Sequence, residues 1–593
     1  MKFFRSSFEK AKQNKLTLAI FLVIFLTGIF LRSYHFSDWL HFEIDQTYDI
    51  NIVSNAVQNG PGNLPLLGPT AGGGRSLRLG PAFYYMEYLS ALIFGNTPAG
   101  HAAQVLILGI LAMPLFYFFC RRYFSKNLSL ALLAIFSFSS YLVLYSRFSW
   151  SPDVLPFLVL FCFYALLKSV SEKEEKKEYW FLLAAFFVAL TSQIHFNAFF
   201  IVPAVTFFFL LIKRPRFRWK IWLAAIAIFL AVYSPVVISD VKTGGQNLSY
   251  FLERLPFHSG NETEKTESKD KKSWEKVVQD IRYNVGNYFL INSGIDNING
   301  SHLTGSSWGI LCKSCQKKLA VTFLPFVLFI ASFFILLLNL KTERDQRRRD
   351  LLLLILLWII FSFACYFLVL YDGLYVYPRF FLPVAPLAII FFGFLLEKLY
   401  FPRKKLTFVI PVIIVAVLSY SNISRIKDSF NQLSRAQNET FRAQTEDIFP
   451  DNTRVTLSQQ LPIVDYIESK YKANGYPICI RTTHEYEPVY WYYLEKRGID
   501  YYDIFSADKA YDQGNYFYIE QESVLNGKKG LSSILATYDI IQEKNFGILT
   551  AFYLKPKNEI ITAQRQDPED KKIPIEEFQI SQLLTWNKLF STP

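Results

Sequence analysis

Three carboxylates follow closely on the first long apolar stretch of the chain. That stretch covers residues 16–31, and Glu43, Asp45 and Asp49 come shortly after it. Acids at the edge of a bilayer are costly, so they are functional candidates by default. A carboxylate within hydrogen-bond reach of a hydroxyl group can remove its proton as a general base. Asp49 lies one helical turn after Asp45, so the two can share a helix face; alternatively, such acids only cap a short helix.

Four arginines are candidates for binding an anion on the same side of the membrane. Arg379 directly precedes an apolar span. Its planar guanidinium can hold a phosphate group through two parallel hydrogen bonds and stays charged near lipid. Arg75, Arg78 and Arg147 are alternatives. Arg379 can instead extend to the lipid head groups without any specific ligand.

Membrane helices are the elements that must position these residues. Of 593 residues, 52% are hydrophobic, 58 are Phe and 35 are Tyr, a composition that excludes an ordinary soluble domain. Spanning a bilayer takes about 20 apolar residues, which predicts about eleven spans. They are 16–31, 102–120, 128–146, 154–168, 179–194, 196–212, 219–239, 319–340, 351–371, 380–399 and 406–421. Residues 82–94 are apolar but short, which favours an interfacial or re-entrant helix.

Basic residues predict the orientation of these spans. They occur at the N-terminus and in every second connection, which places those parts in the cytoplasm. Residues 32–101, 240–318 and the tail 422–593 are then external. The net charge of +13 is accounted for mostly by this orientation, so we do not interpret it as nucleic-acid binding.

The tail is predicted to be a separate α/β domain. The chain then consists of a membrane domain, 1–421, and an external domain, 422–593. Residues 477–483 predict a strand, 490–496 a helix that ends before Gly498, and 516–519 and 548–554 further strands.

Two cysteines, Cys312 and Cys315, form a C-x-x-C pattern in an external loop. A structural zinc site needs a second pair of ligands, so a local disulfide is favoured over free thiols or a metal.

Six short motifs occur in the predicted outer parts of the chain. They are 42–49 (FEIDQTYD), 67–70 (LGPT), 80–85 (GPAFYY), 146–153 (SRFSWSPD), 193–196 (QIHF) and 378–383 (PRFFLP). In order and spacing they resemble the membrane-embedded GT-C glycosyltransferases, in particular glycosyltransferase family 39, which includes bacterial protein O-mannosyltransferases and aminoarabinose transferases. The resemblance covers roughly residues 16–400 and implies a polytopic α-helical GT-C fold.

The resemblance also implies a reaction. Such enzymes transfer a sugar from a polyprenyl-phosphate donor to an acceptor on the outer face, here an envelope lipid, glycan or protein. An Asp of the first external loop is the base, which corresponds to Asp45. Many relatives have Asp-Glu at this point, whereas this chain has Asp45-Gln46 with Glu43 two residues earlier, so Glu43 is the alternative base. Inversion at the sugar needs this base and a cation for the departing phosphate, for which Arg379 is the first candidate.

Several further residues have a functional and a structural interpretation. His195 can orient the carrier phosphate or simply pack in the protein interior. Asp153 can bind a substrate or metal, or cap the helix after it. Tyr84 belongs to an aromatic run that is typical of the membrane interface but can also stack on a sugar. Some GT-C enzymes use a divalent cation, for which Asp45 and Asp153 are possible ligands; we expect none to be obligatory.

Two other functions compete with the glycosyltransferase hypothesis. A transporter or flippase of lipid-linked sugars usually has polar residues at mid-membrane and related halves, neither of which is evident here. An inactive GT-C-like envelope assembly factor is the other alternative, and the presence of Asp45 disfavours it.

The alternation of basic loops predicts that the N-terminus is cytoplasmic and the C-terminus external. A reporter that is active only after export, fused after Pro593, should therefore be active. Activity of a cytoplasm-specific reporter at the same fusion point would contradict this orientation.

Overall fold

The first apolar stretch forms the long helix α1, Lys2–Ser33. The computed structural model describes residues 2–71, 77–172, 174–253, 274–295, 319–368, 378–399, 409–436, 455–482, 486–502, 510–521, 527–547, 549–563 and 583–590. Arg75, Cys312 and Cys315 lie outside these ranges, so their predicted roles stay predictions.

Helices continue the chain up to residue 435. They are α2 Ile44–Asn59, α3 Ala82–Phe94, α4 Pro98–Arg121, α5 Lys126–Phe138, α6 Ser140–Tyr145, α7 Leu155–Ser169, α8 Lys177–Ser192, α9 Phe196–Lys213, α10 Trp219–Lys242, α11 Gln246–Glu253, α12 Trp274–Ser293, α13 Leu319–Thr342, α14 Gln346–Leu368, α15 Ala385–Leu399 and α16 Val409–Arg435. Three short 3₁₀ helices, Pro61–Asn63, Ser151–Val154 and Pro378–Val384, lie between them. The predicted boundary at 421/422 falls inside α16.

Within the described residues, nine helices are long and apolar enough to cross a membrane. The chain is therefore a multi-pass membrane protein, and the count agrees roughly with the prediction. Two predicted spans are shorter helices. Residues 128–146 form α5 and α6, separated at Ser139, and residues 179–194 overlap the 16-residue α8. The apolar segment 82–94 is the helix α3, as the sequence suggested.

The two 3₁₀ helices Ser151–Val154 and Pro378–Val384 pack against each other near the predicted outer side. Both contain proline close to their start, and Pro152 suits that place because its fixed φ matches the first turn and its missing N–H would have no partner there. Arg379 is thereby brought next to the motif that contains Trp150.

The C-terminal region is an α/β unit. Its elements in the described ranges are α17 Leu457–Asn474, β1 Ile478–Arg481, α18 Glu487–Lys496, β2 Tyr501–Tyr502, β3 Ala510–Tyr511, β4 Asn515–Gln521, α19 Gly527–Ile534, β5 Tyr538–Phe546, β6 Leu549–Pro556, β7 Ile561–Ala563 and α20 Trp586–Phe590. Five strands form a sheet in the order β2-β1-β4-β6-β5, with β1 parallel to both neighbours and β6 antiparallel to both of its own. β3 and β7 pair in parallel.

Arg147 stabilises the fold at the end of α1, which differs from the phosphate contact considered above. It is buried, and its guanidinium donates hydrogen bonds to the carbonyl oxygens of Leu31 (3.2 Å), Arg32 (2.9 Å) and Tyr34 (2.7 Å). The last carbonyls of a helix have no partner within it, so a fixed cation is favourable there. The guanidinium also lies 4.8 Å from the ring centre of Phe430 in α16. The sequence predicts only that Arg147 lies on the outer face. It does not show that the guanidinium N–H groups of Arg147 bond to carbonyls at the end of α1.

Replacing Arg147 with Met should lower stability, because two buried carbonyl groups and one partly buried carbonyl group lose a charged donor. We expect a loss of about 3 kcal/mol, seen as a lower thermal unfolding midpoint in detergent. The exposed Arg344, changed to Met, is the matched control. An unchanged midpoint together with weakened binding of a lipid phosphate would contradict the structural role.

Candidate active site

The first turn of α2 contains the acids that the sequence singled out. Glu43 precedes the helix in an extended conformation, and its backbone N–H donates to the side-chain oxygen of Gln46 at 3.1 Å. This bond fixes where α2 begins. Asp45 follows in the first turn, where the positive end of the helix dipole favours a negative charge.

Glu43 and Asp45 differ in their surroundings. Glu43 is buried, and one of its carboxylate oxygens lies 3.3 Å from Nε2 of His41, which is also buried. The His41 ring meets Phe148 edge-on at 5.6 Å. Asp45, in contrast, is exposed. Glu43 is therefore held in the interior, and Asp45 is the acid that a second molecule can reach. The sequence does not indicate the contact between His41 and Glu43, because no spacing rule links these residues.

The pKa of Asp45 is raised above its ordinary value. The largest cause is loss of hydration, because much protein surrounds the group even though it reaches solvent, and repulsion by Glu43 adds to it. Attraction to Arg379 and a hydrogen bond from the Trp150 side chain act in the opposite direction. Asp45 and Arg379 are thus electrostatic neighbours, although they are far apart in the sequence. A raised pKa strengthens a carboxylate as a base.

Arg379 lies against aromatic rings. Its guanidinium carbon is 4.3 Å from the ring centre of Trp150 and 5.7 Å from that of Phe380. Such cation–π contacts fix the plane of the guanidinium. This environment differs from that of an arginine that only extends toward lipid head groups.

His195 belongs to the same cluster. It precedes α9, its Nδ1 accepts a hydrogen bond from the backbone N–H of Asn197 at 3.3 Å, and its ring centre is 5.5 Å from that of Phe380. Burial, and then repulsion by Arg379, lower its pKa to about 3. The ring is therefore neutral near pH 7. Because Nδ1 accepts, the proton is on Nε2, which makes His195 a neutral hydrogen-bond donor.

Asp49 and Tyr84 form a buried pair. The Tyr84 hydroxyl donates to Oδ1 of Asp49 at 2.9 Å, and both side chains are buried. Tyr84 therefore does not stack on a sugar in this arrangement. Burial and repulsion by Glu87 raise the pKa of Asp49. Glu87 is itself buried, 3.2 Å from Ser149 Oγ and 3.7 Å from His101, and sequence analysis did not identify it.

Arg78 and Asp153 have mainly local roles. Arg78 donates from Nη1 to the carbonyl of Gly68 at 3.2 Å, across a hairpin in which Thr70 pairs with Arg78. Its charge also lies near Asp49. Oδ2 of Asp153 accepts from the backbone N–H of Trp150 at 3.2 Å, which is the capping arrangement that sequence analysis weighed against a metal or substrate role.

Among the residues that the structure describes, no group of three or more His, Cys, Asp or Glu side chains is arranged to hold a metal ion. Asp45 and Asp153 are therefore not part of such a group there.

Comparison with known proteins places this geometry in context. Residues 79–238 match the family model described as dolichyl-phosphate-mannose-protein mannosyltransferase. ArnT from Cupriavidus metallidurans in the apo state matches with a TM-score of 0.51 and 10% identity, covering 94% of this chain and 100% of that one. The chain has the ArnT fold. The undecaprenyl-phosphate-bound ArnT structure gives a TM-score of 0.51 and 11% identity, with coverage of 93% and 99%. No curated protein sequence matches the chain.

These matches confirm the predicted resemblance to GT-C membrane glycosyltransferases and the predicted fold class. The matched family region contains Tyr84, Arg147, Asp153 and His195 but neither Asp45 nor Arg379. The roles of the last two depend on the geometry described above.

The charges around Asp45 predict how its ionisation responds to substitution. Glu43→Gln removes repulsion and should lower the pKa of Asp45, whereas Arg379→Gln removes attraction and should raise it. A carbodiimide that reacts with protonated carboxyl groups, read out by peptide mass spectrometry over a pH series, measures the midpoint. The exposed Asp38 provides an internal control. Identical midpoints for Asp45 in all three proteins would show that the groups do not interact.

Proposed function

We propose that the chain is a membrane glycosyltransferase that transfers a sugar from a polyprenyl-phosphate donor to an acceptor at the outer face of the membrane. The observation that supports the proposal is an electrostatic attraction between two groups. One is the exposed carboxylate of Asp45, and the other is the guanidinium of Arg379, which is fixed against Trp150. A base and an anion-binding cation are the two groups that displacement of a sugar phosphate requires.

Each group has one task in the proposed reaction. Asp45 takes the proton from the acceptor hydroxyl as its oxygen attacks the anomeric carbon. The bond from that carbon to the phosphate oxygen breaks, and its electron pair leaves with the carrier phosphate. Arg379 balances the charge that develops on this phosphate, and the neutral His195 donates a hydrogen bond to it from Nε2. Attack from the side opposite the leaving group inverts the anomeric configuration.

The donor class is supported by the fold match. ArnT with this fold binds undecaprenyl phosphate, and the matched family is described by its dolichyl-phosphate-mannose donor. A lipid phosphate lies at the boundary between membrane and water. Arg379 is the second residue of the candidate span Pro378–Leu399, so its guanidinium is expected near one boundary of the membrane. In the proposed orientation this is the outer boundary, with the α/β unit outside.

The proposed activity leads to a direct test of Asp45. Asp45→Asn keeps the size of the side chain and removes the base, so turnover should fall by roughly 10²-fold or more. Release of carrier phosphate from a panel of purified polyprenyl-phosphate sugars measures it. Glu43→Gln, which changes a buried neighbour that does not reach solvent, should have a smaller effect. Near-normal turnover of Asp45→Asn with a large loss for Glu43→Gln would assign the base to Glu43.

A second test concerns the leaving phosphate. Lys in place of Arg379 keeps the charge but loses both the planar donor edge and the stack on Trp150. We expect Arg379→Lys to lose much of the activity and Arg379→Ala nearly all of it, by roughly 10²-fold or more. Arg344→Lys, at an exposed position, is the control for the chemical change. Near-wild-type turnover in both Arg379 variants would contradict the assignment.

A further inference from the structure

The C-terminal unit contacts the segment that leads into the candidate acids. The backbone N–H groups of Leu457 and Ser458, in the first turn of α17, donate to the carbonyls of Leu40 (3.1 Å) and Asp38 (3.0 Å). The first N–H groups of a helix have no partners within it. Here the segment before α2 supplies them, so the start of α17 and the approach to α2 depend on each other.

Gln460 makes the contact nearest to the acids. Its side-chain amide donates to the carbonyl oxygen of Phe42 at 2.8 Å, and Gln460 is fully buried. Phe42 immediately precedes Glu43 and is three positions before Asp45. A buried hydrogen bond to this carbonyl therefore fixes the chain at the point where α2 starts.

Aromatic packing adds to this contact. The ring of Phe42 is 1% exposed and meets Tyr492 and Tyr493 of α18 at 5.6 and 6.1 Å, both edge-on. A buried aromatic residue has little freedom to change rotamer without moving its backbone. Both the side chain and the carbonyl of Phe42 are thus held by the C-terminal unit.

The segment that follows α2 and the 3₁₀ helix Pro61–Asn63 is also attached to C-terminal residues. Beyond Asn59, the N–H of Leu66 donates to the carbonyl of Leu584 at 2.9 Å, and that of Trp586 to the carbonyl of Leu64 at 3.3 Å. The Trp586 indole N–H donates to the Tyr85 hydroxyl at 2.9 Å. Two separate parts of the C-terminal region therefore hold the segments before and after the helix that carries Asp45.

We propose that the C-terminal unit sets the position of α2 and that Gln460 is a positioning residue for Asp45. The catalytic part of this inference rests on the proposed function. Misplacing a catalytic group by about 1 Å can cost about 10²-fold in rate. Gln460 acts through the Phe42 carbonyl and has no contact with the reacting groups, so its loss affects turnover rather than donor binding.

Tyr466 provides a matched control. It lies in the same helix α17 and is buried, and its hydroxyl donates to the side-chain oxygen of Gln542 in β5 at 3.0 Å, within the C-terminal unit. Tyr466→Phe and Gln460→Met each remove one side-chain hydrogen bond from α17, and only the second removes one from the segment before α2.

Two measurements on the full-length protein in nanodiscs test the proposal. In Gln460→Met, kcat for release of carrier phosphate should fall on the order of 10-fold with the donor KM unchanged, while Tyr466→Phe keeps the kcat of the unaltered protein. Hydrogen exchange of backbone amides in peptides covering residues 43–50 should be on the order of 10-fold faster in Gln460→Met alone.

The outcomes separate this proposal from the proposed function. Equal kcat in the two variants, or unchanged exchange in Gln460→Met, would overturn the positioning role while leaving the glycosyltransferase proposal intact. If the unaltered protein releases no carrier from any polyprenyl-phosphate sugar, the proposed function fails and the catalytic role of Gln460 fails with it. The exchange measurement then still decides whether Gln460 holds α2.

Discussion

The site depends on keeping the carboxylate of Asp45 charged beside a membrane. Loss of hydration and the nearby Glu43 both favour its protonated form. Arg379 opposes them, and it can do so reliably only if its own position is fixed. The stack on Trp150 and the 3₁₀ turn that begins at Pro378 provide this. The packing of the 3₁₀ helices Ser151–Val154 and Pro378–Val384 is therefore as important for the ionisation of Asp45 as α2 is.

α2 places chemically similar acids in different environments. Asp45 is exposed and faces a cation, whereas Asp49, one turn later, is buried with Tyr84 and close to Glu87. Burial raises the pKa of both Asp49 and Glu87, and repulsion by Glu87 adds to the rise for Asp49. The negative charge of α2 is thus concentrated at its first turn, where the helix dipole favours it. Burial thus distinguishes Asp49 and Glu87 from the exposed Asp45, which is the candidate base.

Sequence patterns predicted what is encoded locally. The length of the apolar stretches predicted the membrane helices. The predicted strands 477–483 and 516–519 correspond to β1 and β4. The position of Asp45 after the first apolar stretch identified it as a candidate site residue. Contacts between distant segments were not predictable. Nothing about Arg147 shows that its donors are used by α1, and nothing about Glu87 or Gln460 links them to α2, because these roles exist only after folding. The sequence predicts Arg379 at a membrane boundary, but it does not predict the stack of this residue on Trp150.

The pairing of Asp45 with Arg379 also gives the proposed reaction an order. Arg379 lowers the pKa of Asp45 and so weakens it as a base. A donor phosphate bound to Arg379 offsets that positive charge, and the pKa of Asp45 then rises. His195 carries no charge in the structure, because burial and then Arg379 lower its pKa to about 3, so the positive charge that the phosphate offsets is that of Arg379. Asp45 therefore becomes a stronger base once the donor is in place, which favours removal of the acceptor proton when a sugar is present to receive the attacking oxygen.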